Sequence, residues 1–419
     1  MWRELEPIGR QAGGGYRRFA WTAADAACRA WFRAAAERRG LRYEVDRNGN
    51  QWAWAGDPTR AVGVGAAVVT GSHLDSVPDG GGYDGPLGVV SGFAALDELR
   101  ARGRAGGRPL AVVNFADEEG ARFGVSCVGS RLASGLLDPD RARALRDADG
   151  VTLAEALADA GHDPRELGPD PGRLAGIHAF VELHVEQGLA LARTGHPVGV
   201  GSAIWPHGRW RFDFRGEANH AGTTRLADRR DPMLSYATTV LTARKRARLA
   251  EALATFGRVE VEPGGVNAVP SLVRAWLDAR APDPDTLATL VADIERAAAE
   301  RGARDGVAVR VTRESHTGPV AFDQGLRVRL SARLGGAPVL PTGAGHDAGI
   351  LASARPAPVP TAMLFVRNPT GVSHAPAERA EEADCLAGVA ALAEVLEDLL
   401  WEHPQGRHNP EEREDPVCR

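Results

Sequence analysis

Lysine is almost missing from this 419-residue chain: Lys245 is one of its 50 basic residues, and arginine supplies all the others. Acidic residues number 55, so the formal net charge is only −5. A chain with this balance lacks the excess of positive charge with which proteins bind nucleic acids or anionic membrane surfaces. We therefore expect neither of these partners, and we attribute the arginine bias to a GC-rich genome.

Cysteine and long apolar runs are also scarce. The four cysteines show no paired spacing, which argues against a disulfide framework or a cysteine-bound zinc ion. No run of about 18 apolar residues is present, so no membrane-spanning helix is predicted. The N-terminus lacks the apolar segment of a signal peptide. These absences are typical of a cytoplasmic protein, and the cytoplasm is the location that we expect.

What the chain does contain is an alternation of strand-like and helix-like segments from residue 66 onwards. The segments AAVVTGSHLDS, GVVSGFAALDELRARG and RPLAVVNFADEEG follow one another in the order strand, helix, strand. This order is typical of βαβ units, in which helices flank a parallel sheet. We predict an α/β domain with a mostly parallel central sheet, formed by residues 1–205 and 319–403.

A different pattern begins near residue 206. In the segment RWRFDFRGEAN, aromatic residues alternate with charged ones, which indicates a strand with one solvent-exposed face. Further segments follow in the order βαββαβ, which is typical of a small ferredoxin-like α+β domain. We predict that residues 206–318 form such a domain as an insertion, and that the polar residues 404–419 form a disordered tail.

One stretch, GSHLDSVPDGGGYDGP, places a histidine and several acids among glycines directly after a buried strand. Sites in open α/β sheets form beyond the carboxyl ends of the strands, and His73 lies at such an end. The glycines allow the chain to turn back, so Asp84 can approach His73. Asp75 could accept a hydrogen bond from the other imidazole nitrogen, as carboxylates near metal-bound histidines do. Taken alone, the stretch also fits an ordinary glycine-rich turn.

Three adjacent acids follow the next strand, in the segment FADEEG. Asp117, Glu118 and Glu119 repel one another, and a buried site would tolerate them only with a cation. A divalent metal ion would supply that charge, while one carboxylate stays free as a general base. A solvated acidic turn is the alternative for this segment alone.

Histidines follow other strand-like segments in the same way. They occur in ELHVEQG, GAGHDAG and GVSHAP as His184, His346 (followed by Asp347) and His374. Any one of them also fits a structural role. The recurrence of acids and histidines at these separate strand ends favours a single metal site.

Eight motifs together resemble the M20 family of metal-dependent amidohydrolases and peptidases, in the branch that acts on N-carbamoyl compounds. This branch comprises N-carbamoyl-L-amino acid hydrolases, β-ureidopropionases and allantoate amidohydrolases. The motifs run in family order over about residues 70 to 380: GSHLDSVPDGGGYDG, ADEEGARFG, ELHVEQG, ANHAGTTRLADRRDP, GGVNAVP, LDAR, GAGHDA and GVSHAPAE.

The resemblance implies two divalent metal ions per subunit, of Zn, Mn, Co or Ni. It implies that His73, Asp84 and His184 bind one ion, and that Asp84 bridges to a second ion held also by Glu119 and His374. Imidazole and carboxylate ligands suit these borderline ions. Many M20 peptidases have a carboxylate at the position of His184, so this histidine favours the carbamoylase branch.

The same resemblance implies the catalytic and substrate-binding residues. Glu118 is expected to be the general base, and His220 of the NHAG motif to stabilise the oxyanion, often from the partner subunit. Asn267 and Arg280 are matched to substrate binding. For Arg280 this makes chemical sense, because its guanidinium can bind a carboxylate through two hydrogen bonds. Gln187 is a further polar candidate. The GAGHDA pair lies near the site in the family, in a supporting or a substrate-contacting role.

We therefore predict a homodimeric enzyme that cleaves the ureido C–N bond of a small carboxylate substrate and releases ammonia. The inserted domain would act as lid and dimerisation domain. Allantoate amidohydrolase, with a role in purine degradation, is the first candidate; N-carbamoyl-L-amino acid hydrolase or β-ureidopropionase is the second. A dipeptidase or aminoacylase of the same family is a rival that His184 disfavours. A catalytically silent binding protein is disfavoured by the presence of every expected ligand and of Glu118.

Overall fold

The computed structural model describes residues 1–57 and 65–401, and these residues form two compact units. The first unit comprises the described residues of 1–201, 322–339 and those after 345. The second unit comprises residues 202–321 and 340–345. The predicted tail, 404–419, lies outside the described residues.

The first unit is built on a mixed sheet. Its strands, numbered along the chain, are β1 (Arg42–Val45), β2 (Gln51–Ala55), β3 (Ala67–His73), β4 (Leu110–Phe115), β5 (Ile177–Val185), β6 (Val198–Ile204) and β15 (Thr361–Val366). Their order in the sheet is β1-β2-β4-β3-β5-β15-β6. The four inner strands β4, β3, β5 and β15 are parallel, whereas β1, β2 and β6 pair antiparallel at the edges. The predicted mostly parallel central sheet is confirmed.

Helices accompany this sheet along the chain. They are α1 (Trp2–Leu5), α2 (Ala23–Glu37), α3 (Pro86–Ala101), α4 (Val128–Ala133), α5 (Pro139–Arg143), α6 (Leu153–Asp159), α7 (Pro171–Ala175), α8 (Ala190–Thr194), α11 (Gln324–Arg333), α12 (Asp347–Leu351) and α13 (Glu382–Leu400). Every residue of β3, β4 and β15 is buried, as expected for strands covered on both faces. None of the described helices is both long enough and apolar enough to cross a bilayer.

Helix α3 begins at Pro86, two residues after Asp84, and the turn at Gly85 positions Asp84. Gly85 has a φ of 82°, in the left-handed region that glycine adopts without steric cost. A Cβ atom at Gly85 would lie 2.4 Å from the His73 ring, so only glycine allows this approach. Pro86 occupies the first helical position, where its missing N–H costs no hydrogen bond.

The second unit contains the predicted βαββαβ order. Its elements are β7 (His207–Arg215), β8 (Asn219–His220), α9 (Pro232–Leu249), β9 (Leu253–Glu262), β10 (Ala268–Val269), β11 (Leu272–Arg280), α10 (Pro284–Asp305), β12 (Ala308–Thr317) and β13 (Val320–Ala321). Strands β12, β7, β11 and β9 form one antiparallel sheet in this order. Phe212 and Phe214 are fully buried in its core. On the other face, Asp213 is also buried, and Arg274 Nε donates to its carboxylate at 2.7 Å.

Residues 340–345 were assigned by sequence to the α/β domain but group with the second unit. They include most of β14 (Val339–Thr342), which pairs with β6. The Trp205 N–H donates to the Thr342 carbonyl at 2.9 Å, and Arg280 donates to the Gly343 carbonyl. The sequence around residue 340 does not indicate these contacts.

Candidate metal centre

Acids and histidines converge where the inner strands of the first unit end. His73 is the last residue of β3, and the acidic turn follows β4 directly. His184 is the penultimate residue of β5, and His374 lies in the loop after β15. Because these strands are parallel, their carboxyl ends meet at one edge of the sheet. The topology therefore brings together side chains that are up to 301 positions apart, from His73 to His374.

The first group, here called the inner cluster, consists of His73, Asp84 and His184. Asp84 Oδ1 lies 3.6 Å from His73 Nε2 and 3.2 Å from His184 Nε2. All three side chains are buried. The shared carboxylate oxygen therefore faces both imidazoles at once.

Backbone carbonyl oxygens orient the imidazoles of the inner cluster through their Nδ1 atoms. His73 Nδ1 lies 3.2 Å from the carbonyl oxygen of Asp75, and His184 Nδ1 lies 2.9 Å from that of Val185. These contacts require Nδ1–H as the donor, and the Nε2 atoms face Asp84. Both Nε2 atoms are buried and have no hydrogen-bond partner. Oriented, unsatisfied imidazole nitrogens of this kind fit a metal ion.

The second group, here called the outer cluster, consists of Asp84, Glu119 and His374. His374 Nε2 lies 3.4 Å from Asp84 Oδ2 and 3.8 Å from Glu119 Oε2. The His374 side chain is half exposed. Asp84 thus directs Oδ1 at one cluster and Oδ2 at the other. In each cluster the possible ligand atoms lie within 4.8 Å of one another, and their chemistry suits a borderline divalent ion.

Burial and crowding perturb the acidity of these groups. Although burial works against its charge, the surrounding imidazoles, led by His184, hold the pKa of Asp84 well below its usual range. Burial and the charge of Asp84 raise the pKa of Glu119 to about 7. Burial disfavours a charged His73, but the surrounding carboxylates of Glu118, Asp75 and Asp84 together outweigh it and raise the pKa of His73 well above 6.5. Carboxylates packed this closely repel one another, and a divalent cation would relieve that repulsion.

Glu118 lies beside the inner cluster without belonging to it. Its Oε2 is 3.6 Å from His73 Nε2, and its Oε1 accepts a hydrogen bond from Cys127 Sγ at 3.2 Å. Burial raises the pKa of Glu118 well above its usual range, and the nearby Asp347 adds to the effect against the opposing charge of His73. A buried carboxyl with a raised pKa next to a metal cluster can accept and return a proton.

Asp75 has a broader structural role than the sequence indicated. Its carboxylate lies 3.5 Å from His73 Nδ1, farther than the carbonyl oxygen of the same residue. The two carboxylate oxygens accept the backbone N–H groups of Glu118 at 3.2 Å and Glu119 at 3.0 Å. Asp75 therefore also holds the acidic turn in place.

Three further predicted residues lie around the clusters. Gln187 Nε2 donates to Asp84 Oδ2 at 2.8 Å, so its amide contacts the shared carboxylate. The buried His346 ring is centred 4.5 Å from the His184 ring, and its Nε2 has no partner. Burial and the charge of His184 hold the pKa of His346 well below 6.5. Asp347 accepts a hydrogen bond from the Ser130 hydroxyl.

Sequence reasoning assigned no role to one acid and one thiol at this site. Glu182 accepts hydrogen bonds from Ser72 Oγ at 2.8 Å and from the Ala348 N–H at 2.9 Å. It also forms a third group of possible ligands, with His184 and His346. Glu182 lies in the ELH motif, so its position was a usable signal. The contact between Cys127 and Glu118 has no signal in the sequence.

The remaining predicted residues, His220, Asn267 and Arg280, belong to the second unit. β8 pairs with β10, and the Ala221 N–H donates to the Asn267 carbonyl at 2.9 Å, so His220 and Asn267 lie on neighbouring segments. The Gly222 N–H donates to His220 Nδ1 at 2.9 Å. Arg280 is paired within its own unit, where its Nε and Nη2 donate to the two oxygens of one carboxylate, that of Asp278, at 2.8 and 3.2 Å.

Comparison with known proteins places this geometry in a family. Residues 69–398 match the model of peptidase family M20/M25/M40. N-carbamoyl-L-amino acid amidohydrolase of Geobacillus stearothermophilus is 37% identical over 96% of this chain and 97% of that protein. Allantoate amidohydrolase of Escherichia coli (strain K12) is 34% identical over 80% of this chain and 82% of that protein.

A solved structure of an amidase of the hydantoinase/carbamoylase family, from Burkholderia multivorans, covers 96% of this chain and 96% of its own. Its TM-score is 0.83 and its sequence identity is 31%. These three similarities cover between 80% and 96% of this chain. The chain therefore belongs to peptidase family M20/M25/M40 and is a hydrolase that acts on amide C–N bonds.

Proposed function

We propose that this chain hydrolyses the ureido C–N bond of a small carboxylate substrate and releases ammonia, with two divalent metal ions at its site. The observation that carries the proposal is the shared carboxylate of Asp84, whose two oxygens face two separate clusters of possible ligands. The names of the relatives, which refer to N-carbamoyl-L-amino acids and to allantoate, support the same bond as the target.

The chain's own residues suit this chemistry. His73 and His184 would hold one ion, Glu119 and His374 the other, and Asp84 both. Zn, Mn, Co and Ni all accept such ligands. When bound, a pair of such ions polarises the substrate carbonyl and lowers the pKa of a water molecule.

Glu118 would move the proton. Its Oε2 is directed towards the inner cluster, where the attacking water would lose a proton to it. Attack on the carbamoyl carbon forms the new C–O bond. Glu118 then returns the proton to the departing nitrogen, the C–N bond breaks, and ammonia leaves. The carbamate that remains can decompose to carbon dioxide and the free amine.

The second unit would complete the site as a lid. Because His220 Nδ1 accepts the Gly222 N–H, the ring is in the tautomer that carries its proton on Nε2. That N–H is a donor suited to a developing oxyanion. Asn267 would bind substrate beside it, and Arg280 would exchange Asp278 for the substrate carboxylate. Gln187 would turn from Asp84 towards the substrate, and the neutral His346 would support the inner cluster or contact the substrate.

The proposal also covers the oligomeric state, the location and the partners of the enzyme. A homodimer formed through the second unit would allow His220 to act on the partner subunit's site. The enzyme would work in the cytoplasm on a small ureido acid, with no nucleic acid or membrane partner. If allantoate is the substrate, the reaction belongs to purine degradation.

Ammonia release from the metal-loaded protein tests the proposal. The substrates are allantoate, N-carbamoyl-L-amino acids, β-ureidopropionate and a dipeptide, and chelator-treated protein is the control. Allantoate is our first candidate. N-carbamoyl-L-amino acids are the second candidate, and the relative named for them is 37% identical over 96% of this chain.

The outcomes separate the alternatives. Turnover of a ureido acid, lost in the chelator-treated protein, is the expected result. Cleavage of the dipeptide alone would contradict the ureido assignment and favour the peptidase rival. Substrate binding without any turnover would favour the silent binding protein.

A further inference from the structure

Glu378 lies behind the two clusters and contacts two of the loops that build them, those of Asp84 and His374. It is buried, with an exposure of 6%. Its Oε1 accepts the backbone N–H groups of Tyr83 at 2.8 Å and Asp84 at 2.9 Å. Its Oε2 accepts a hydrogen bond from Ser373 Oγ at 3.2 Å. One carboxylate thus joins the loop of Asp84 to the residue that precedes His374.

The loop of Asp84 packs directly on this carboxylate. A Cβ atom at Gly81 would lie 2.3 Å from Glu378 Oε1 and 2.4 Å from its Cβ, so any larger side chain at Gly81 would displace one of the two. Ser373 Oγ also lies 3.2 Å from Asp84 Oδ2. Glu378 is therefore linked to Asp84 through the Asp84 backbone, and both carboxylates lie within reach of the single Ser373 hydroxyl proton.

The contact between Glu378 and the Asp84 N–H affects the orientation of the Asp84 carboxylate. A ligand shared by two ions must direct its two oxygens in two fixed directions. The hydrogen bond from the Asp84 N–H fixes the backbone position from which that side chain extends. Groups that orient metal ligands in this way typically change metal affinity 10–100-fold when removed. Loss of the Glu378 carboxylate would also leave two buried N–H groups without an acceptor, which is costly.

We propose that Glu378 is a positioning residue of the metal centre, which fixes Asp84 and couples it to the loop of His374 so that both clusters form together. This inference rests on the proposed function, because it takes Asp84 as the ligand shared by two ions. It assigns Glu378 no contact with the substrate.

In the test, chelator-treated protein is titrated with Zn²⁺ alone, and calorimetry measures the Zn²⁺ affinity. Glu378→Ala should weaken Zn²⁺ binding by about 10–100-fold. Glu378→Gln keeps an oxygen that can accept both N–H groups and should stay within about threefold of the wild type. The matched control is Glu186→Ala. Glu186 has the same exposure of 6% and accepts two N–H groups, those of Ala190 at 2.6 Å and Leu191 at 3.0 Å.

Loss of a buried carboxylate that accepts two N–H groups should lower the thermal stability of both alanine variants, but only Glu378→Ala should weaken Zn²⁺ binding. Equal affinities in the two variants would overturn the inference, as would a Gln variant as weak as the Ala variant. If Glu378→Ala does not fold, Ser373→Ala replaces it, with an expected loss of about fivefold from one hydrogen bond; no loss in that variant would equally overturn the inference.

Asp84→Ala distinguishes this inference from the proposed function. If Asp84→Ala binds two Zn²⁺ ions as the wild type does, the proposed metal centre is wrong. If Asp84→Ala loses Zn²⁺ binding while Glu378→Ala keeps it, only the role of Glu378 is wrong.

Discussion

The inner and outer clusters share Asp84, but the protein holds their other ligands in different ways. The histidines of the inner cluster are each 1% exposed and lie on core strands, with Nδ1 facing a backbone carbonyl. In the outer cluster, His374 is half exposed, lies on a loop and has a positive φ of 55°. The inner cluster is part of the core, whereas the outer cluster depends on loop contacts. We therefore expect the inner cluster to bind its ion more tightly.

The largest expected effect concerns the group beside the inner cluster. Glu118→Gln removes the proton acceptor but no proposed ligand, so kcat should fall about 10²–10⁴-fold while metal content stays the same. The ammonia assay and elemental analysis of the same preparation measure the two quantities. Normal turnover in this variant would contradict the assignment of Glu118 as the base.

The next effect compares the clusters directly. His184→Ala should weaken binding of the more tightly held ion by more than about 100-fold, the upper end of the range for residues that only orient ligands. His374→Ala should weaken binding of the more loosely held ion only. Metal titration in chelator buffers measures both affinities, with the exposed His316 replaced by alanine as the control. If His374→Ala lowers the affinity for the more tightly held ion as much as His184→Ala does, the proposed difference between the clusters is wrong.

A smaller effect should appear in the pH dependence of stability. The hydrogen bond to Asp84 raises the pKa of His374 to about 9, with help from Glu119 and against partial burial. The folded chain therefore holds this proton more tightly than the unfolded chain does. The stabilisation is complete below about pH 6.5 and is lost as the pH rises through about 9.

Urea unfolding of chelator-treated protein at several pH values measures this contribution. After allowance for solvent screening of a half-exposed side chain, we expect about 1 kcal/mol. His374→Ala should lose less stability than the wild type between pH 6.5 and 9. Identical slopes in the two proteins would show that His374 carries no such proton.

The smallest effect concerns the thiol that contacts Glu118. A thiol is a weak donor, so Cys127→Ala should lower kcat only about two- to threefold, from the loss of one weak hydrogen bond. Cys28→Ala is the matched control, because Cys28 is also buried and lies in α2. A similar loss in both variants would indicate a general packing effect instead.

Much of the inner cluster could be predicted because its signals are local. A histidine at a strand end, glycines that reverse the chain and an acid before a helix are all visible within residues 71–86. The parallel order of the strands then brings such ends together. For the same reason, the acids after β4 and the histidine of β5 were found.

Contacts between distant segments could not be predicted in this way. Glu378 and Tyr83 are 295 positions apart, and no local pattern relates them. The pairing of Arg280 with Asp278 and the amide contact of Gln187 depend on side-chain conformation, which motifs do not report. The antiparallel edge strands β1 and β2 were missed because they lie outside the βαβ alternation.

The most direct test of the whole account is X-ray diffraction from metal-loaded crystals at the absorption edge of the bound metal. We predict two anomalous peaks, one about 2.0–2.1 Å from the Nε2 atoms of the inner histidines and one at a similar distance from His374 Nε2. One carboxylate oxygen of Asp84 should contact each peak. A single peak, or a peak among Glu182, His184 and His346 with none at His374, would contradict the account.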